Sequence, residues 1–394
     1  MYKKPFLAFL IILLSCLLSS CGTPAEADTS LLLDDKFDTA EFLPEYDFRN
    51  EFGKWREMCE SEQAYYFSLI DNPYLYYYDK ESGISGVLCG KPDCDHSNVS
   101  CNAYLAGGSG LALYDGYLYW TQAPSTLFRM KLDGTERETF QSLQGGLSSS
   151  VWLHRGYIYS IQEISSVVDG KSTTSIRLSQ EVLGDPDREL VVILEQEAVD
   201  YFYQVLGNTI YLGLEQYSTV EDTTGTISTL SLYAYDSATG KLDTLVERSD
   251  SFPFNFRDMR CLENKIYFSA YNETNSALYQ YNANTHSIDL VRETGLAMAL
   301  HLGENYAFGV TGQNDVLFSI QDFDGNVLRE GQIITDPTLS IDVWGVIPKC
   351  LTSDKVLVLL VDLRPEGSPD TLYEVPLDPS KPIRVLAAIE HKLT

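Results

Sequence analysis

Positive charge is scarce in this chain: 28 Lys+Arg stand against 56 Asp+Glu, a formal net charge of −28. So acidic a body repels phosphate backbones and anionic lipid surfaces, which excludes nucleic acid as a partner. The spacing of apolar residues that marks amphipathic helices is almost absent after the first twenty or so residues, which excludes helical bundles and α/β layers. After the N-terminal apolar run no stretch approaches the roughly 20 residues a membrane-spanning helix requires. Linear catalytic signatures are missing too. There is no Gly-x-Ser-x-Gly elbow, no His-Glu-x-x-His and no phosphate-binding loop. His154, His286, His301 and His391 are scattered without catalytic neighbours. A carboxylate pair assembled from distant segments would leave no such motif, so glycosidase-type chemistry stays open.

What is present begins at the N-terminus. Lys3 and Lys4 precede an apolar run from Phe6 to Leu14, and small residues lead up to Cys21. Residues 1–20 therefore read as a secretory signal peptide. Leu18, Ser19, Ser20 and Cys21 resemble the lipobox of bacterial lipoproteins. That resemblance implies a lipid on Cys21, a membrane partner reached through the acyl chains, and a place on the outer face of the cytoplasmic membrane, at the cell surface. Residues 21–50 start small, polar and acidic and read as the lipidated N-terminus and a flexible tether.

Residues 51–394 carry a repeat. A turn followed by an aromatic or β-branched run recurs at Tyr65, Tyr117, Tyr157, Ile210, Ile266, Tyr306 and Val356. After each comes a second, alternating run that ends in a polar turn, as at Leu232, Tyr233, Ala234, Tyr235 and Asp236. Alternation with period two marks a strand with one buried face, and the Asp-, Asn- and Gly-rich breaks mark hairpins. Four-stranded units of roughly 48 residues predict a single all-β propeller whose radial packing protects the edges of short strands. Seven blades are expected, with six as the alternative if a terminal unit is partial.

One unit carries a family resemblance. The segment from Asp115 through Tyr117, Tyr119, Trp120 and Thr121, continuing to Asp133, Gly134 and Arg137, resembles the YWTD-type repeat of lipoprotein-receptor propellers. Gln122 stands where that motif carries Asp. More broadly the chain resembles uncharacterised β-propeller lipoproteins of Gram-positive gut bacteria. The resemblance implies ligand binding on one face and no catalysis.

In a propeller the connections between second and third strands and those between blades open on one face. The runs 163–174, 215–229 and 362–371 are longer than their counterparts and predict loops on the binding face. Trp55, Trp152 and Trp344 each precede a second strand, which suits packing near the axis and also stacking on a sugar. The Asp322 to Asn326 run matches half of a calcium loop but falls where every unit has its hairpin.

The densest chemistry is Cys89, Cys94, His96 and Cys101, three thiols and an imidazole within 13 residues. Three readings compete: a structural zinc ion, which favours four S or N donors, a disulfide in an oxidising compartment, joining Cys89 to Cys94 or Cys101, and unligated thiols. Cys59, Cys261 and Cys350 occupy equivalent places in different units and read as small buried apolar groups. The expected function is an extracytoplasmic module that binds a glycan, peptide or protein ligand. The alternative is a glycan-active or quinone-dependent propeller enzyme whose site is assembled from several blades.

Overall fold

The computed structural model describes residues 41–390 apart from 53–56, 70–71, 106–108, 124, 147, 169–170, 220–225, 251, 253–254, 263–264, 273–274, 296–299, 312–315, 334–344 and 362–368. Cys21, Trp55, Trp344 and His391 lie outside the described residues.

The alternating aromatic and β-branched runs form strands because such side chains fit a pleated, half-buried surface. These strands make seven four-stranded antiparallel sheets, each ordered as in the sequence. The sheets span 58–87, 109–142, 150–197, 200–246, 255–293, 300–332 and 346–389. The protein is a seven-bladed β-propeller, and the six-bladed alternative falls.

First strands of several neighbouring blades touch one another, which places them innermost around the axis. Burial follows this radial order. In the third blade the first strand, Ser150–His154, is buried at every position, whereas the fourth, Val191–Glu197, is buried only at Leu194. Apolar side chains pack between blades: Trp152, Tyr159 and Ile161 of the third meet Tyr201, Tyr203 and Leu212 of the fourth. The Trp152 ring stacks 4.3 Å from Tyr203 and 5.5 Å from Tyr159, so this tryptophan packs the interior and is closed to a sugar.

Among the described residues no strand is exchanged between the first and last blades. Side-chain packing closes the ring instead, with Met58, Phe67 and Leu75 against Cys350, Leu357 and Leu359. Lys349 of the seventh blade pairs with Glu57 beside the first.

Residues 41–52, at the end of the tether and the start of the domain in sequence, lie across the end of the ring where the first-to-second-strand turns open. Tyr46 donates to Asp115 of the second blade at 2.9 Å. Asn50 exchanges two hydrogen bonds with Val205 of the fourth, at 2.6 and 2.9 Å. Phe52 bridges to Cys350 of the seventh, and the Leu351 amide donates to Glu51 O at 2.8 Å. A single strap thus ties blades from opposite sides of the axis.

The long second-to-third connections are strands rather than loops. Tyr157–Val168 pairs with Lys171–Val182 along its whole length, and Thr209–Thr219 pairs with Thr226–Asp236. Strand pairing extends into both runs on either side of residues 169–170 and 220–225, which lie outside the described residues, so the strands lengthen. In the third such run, residues 362–368 lie outside the described residues.

Candidate metal centre

Strand propensity ends at Leu88, where the chain leaves the first blade and turns through Gly90, Pro92, Asp93 and His96 before reaching the second. Asp93 and His96 have positive φ, at 57° and 52°. Asp and His enter this left-handed region more readily than most residues, and two such turns fold the thirteen-residue segment back on itself. Cys89, Cys94, His96 and Cys101 are thereby gathered so that their ligand atoms all lie within 4.8 Å of one another. The His96 Nδ1 is 3.4 Å from the Cys101 Sγ.

These spacings separate the zinc and disulfide readings. A disulfide holds its sulfurs about 2.05 Å apart. The described cysteines are all free, so the disulfide alternative is not formed. A tetrahedral ion with bonds of about 2.0–2.3 Å sets its ligand atoms about 3.5–3.8 Å apart, and four donors within 4.8 Å of one another lie close enough to converge on one ion. The four side chains can hold a metal ion.

The surroundings support the donor set. Burial pushes the Cys89 thiol up, but the backbone N–H groups of Lys91 and Asn102, with help from Cys101 and Cys94, bring it below the ordinary value. Burial pushes Cys101 up to about 12, opposed by the Ala103 N–H and reinforced by the neighbouring Cys89 and Cys94. Sharing of negative charge among three sulfurs is costly until a cation enters. Arg137 donates to the Cys101 carbonyl at 3.0 Å, and Lys91 to that of Ser100.

The segment is pinned at both ends. The Leu75 amide donates to Ala103 O at 2.8 Å on the first blade. On the second, Gly90 N and Asn102 Nδ2 both donate to Gly134 O, at 2.9 and 2.8 Å. A Cβ on Gly134 would meet Gly90 N at 2.7 Å, so the approach demands glycine there. Gly134 belongs to a third-to-fourth-strand turn, which opens opposite the long hairpins. The segment therefore reaches along the flank between the first and second blades.

Other singled-out residues are structural. Cys59, Cys261 and Cys350 are buried on first strands. The Asp322 run is a hairpin turn, with the Asn326 amide donating to Asp322 Oδ1 at 2.8 Å. His154 has both ring nitrogens engaged, by the Phe48 amide at 3.1 Å and the Gly207 carbonyl at 2.8 Å. Sequence reading missed Arg260, a buried cation on an inner strand. Its signal was a charge at an inward position of an otherwise apolar run, Met259 to Leu262.

No family model matches the chain, and no curated protein does. Solved structures of similar fold include an oligogalacturonate lyase in complex with manganese, 12% identical over 85% of this chain and 90% of that one, with a TM-score of 0.50. An oligogalacturonate lyase from Vibrio parahaemolyticus is 10% identical over 85% of this chain and 92% of that one, also at 0.50. A prolyl endopeptidase structure is 13% identical over 88% of this chain, with a TM-score of 0.52, and the match spans only 51% of its length. At these identities the likeness concerns architecture alone: the chain is similar in fold to the β-propellers of enzymes.

Proposed function

We propose that this protein is a lipid-anchored propeller on the outer face of the cytoplasmic membrane that binds a glycan, peptide or protein ligand, and that a structural zinc ion locks its first blade to its second. The observation that carries the zinc assignment is the convergence of three sulfurs and one imidazole within 4.8 Å. Thiolates are soft donors suited to zinc, and a complete set of four leaves no open position for substrate, which marks a structural site. Manganese, present in the lyase of similar fold, prefers oxygen donors and is a poorer match to this set.

Anchoring rests on the apolar run before Cys21 and on the lipobox resemblance. Binding rests on the resemblance of residues 115–137 to YWTD-type receptor repeats and on the two long hairpins, which display exposed Val167 and Tyr217. Such apolar positions on projecting strands suit a contact surface.

Elemental analysis of the purified mature chain should find one zinc per chain, lost in Cys94→Ser. Zinc-free protein with intact fold overturns the metal assignment. Labelled fatty acid should enter the wild type and not Cys21→Ser. A glycan array followed by product analysis should show retention without turnover; released sugars would favour the glycan-active alternative.

A further inference from the structure

We propose that the cavity between the N-terminal strap and the neighbouring ends of blades three to six is a binding site for a small organic carboxylate, anchored by Arg260. The cavity has a volume of about 770 Å³, and its walls include Phe42, Phe48, Leu206 and Leu262. That volume falls in the range of roughly 300–1,000 Å³ typical of small-molecule pockets.

Arg260 lines this space while only 6% exposed; the buried Asp258 carboxylate feels its charge, but among the described residues its guanidinium makes no hydrogen bond or ion pair. The other charged groups of the inner wall are occupied. Asp47 is held by Arg155, and Glu51 by Arg49 at 2.5 Å. The nearby Asp258 carboxylate accepts from the amides of Leu302 and Met259 at 3.0 and 2.9 Å. Glu304 lies exposed at the rim.

A guanidinium keeps its charge inside a protein, so a buried one with free donors retains a desolvation cost until an anion sits against it. Its planar fork matches a carboxylate through two parallel hydrogen bonds. Walls that mix apolar side chains such as Phe48 and Leu206 with polar ones such as Asn50 and Asn208 suit the body of an organic acid better than a bare inorganic ion. This inference extends the binding-module reading to the strap end of the propeller. A ligand taken on the long hairpins needs no Arg260, so that reading survives if this one fails.

The test is calorimetric titration of the mature chain with benzoate and glucuronate, beside the neutral benzamide and glucose, and with inorganic phosphate. At least one carboxylate should bind about tenfold or more tighter than its neutral counterpart, and Arg260→Gln should lose that difference. Glu304→Gln, at an exposed position, should tighten carboxylate binding by removing a like charge, and it keeps the test open if Arg260→Gln does not fold. Absence of carboxylate binding, equal binding of phosphate, or an unchanged affinity in both variants overturns the proposal.

Discussion

Arg155 holds Asp47 through two parallel hydrogen bonds, Nε to Oδ1 at 2.6 Å and Nη2 to Oδ2 at 2.9 Å, with both side chains almost wholly removed from water. The partners are 108 residues apart in the chain. The remaining guanidinium donors reach Asn208 Oδ1 at 2.8 Å and the Glu41 carbonyl at 2.9 Å. One side chain thus fastens the strap to the third and fourth blades at once.

Removing only the acid leaves that cation buried and uncompensated. Asp47→Ala should therefore cost about 3–5 kcal/mol in urea unfolding. The double variant Asp47→Leu with Arg155→Met should recover most of the loss, because no buried charge is left. Equal losses in the single and double variants would show that packing, not charge, fastens the strap.

Glu215 is fully buried, and burial lifts its carboxyl to about 7, against the hydrogen bonds from the Phe256 amide and Ser228. In the unfolded chain it titrates near 4.5. Between those values the folded protein retains a proton that the unfolded chain has released, so stability falls as pH rises, by up to about 1.4 kcal/mol per unit. Glu215→Gln keeps an acceptor for Phe256 and removes this dependence. Its stability relative to wild type should climb by on the order of 3 kcal/mol from pH 4.5 to above 7, and then level off. A constant difference across that range contradicts the assignment.

Gly134 sits at φ +79°, and a side chain there would press on Gly90 and Cys89. Gly134→Ala should cost about 1–2 kcal/mol from backbone conformation alone, with a further loss from the clash. Because the displaced atoms adjoin Cys89, the proposed zinc ion should also dissociate more readily in a chelator competition. Unfolding that weakens while zinc retention stays unchanged would separate the turn from the metal centre.

Trp152 is completely buried between two tyrosine rings. Trp152→Ala should destabilise the protein by about 3–5 kcal/mol, measured by denaturant titration. Ligand retention by the folded fraction should be unaffected; selective loss of glycan binding would reinstate a stacking role.

The propeller was legible because strand alternation is local, and a turn that recurs with it counts the blades wherever it happens. Tyr65, Tyr117 and Tyr157 announce their strands through immediate neighbours alone. The cluster from Cys89 to Cys101 was legible for the same reason, since all four donors fall in one short segment. The run 163–174 was misread as a loop because it is longer than its counterparts, although its Ser and Thr pair in an extended ladder.

Sequence alone determined the all-β repeat and the donor set, because both are written in residues close along the chain. Only the tertiary structure decided between disulfide and metal spacing, because two turns with positive φ set those distances. It alone showed Asp47 meeting Arg155, and Arg260 lining a cavity without a hydrogen-bonded anion among the described residues. Such relationships join residues separated by about a quarter of the chain or drawn from several blades, and nothing in local spacing encodes which distant charges a closed ring brings together.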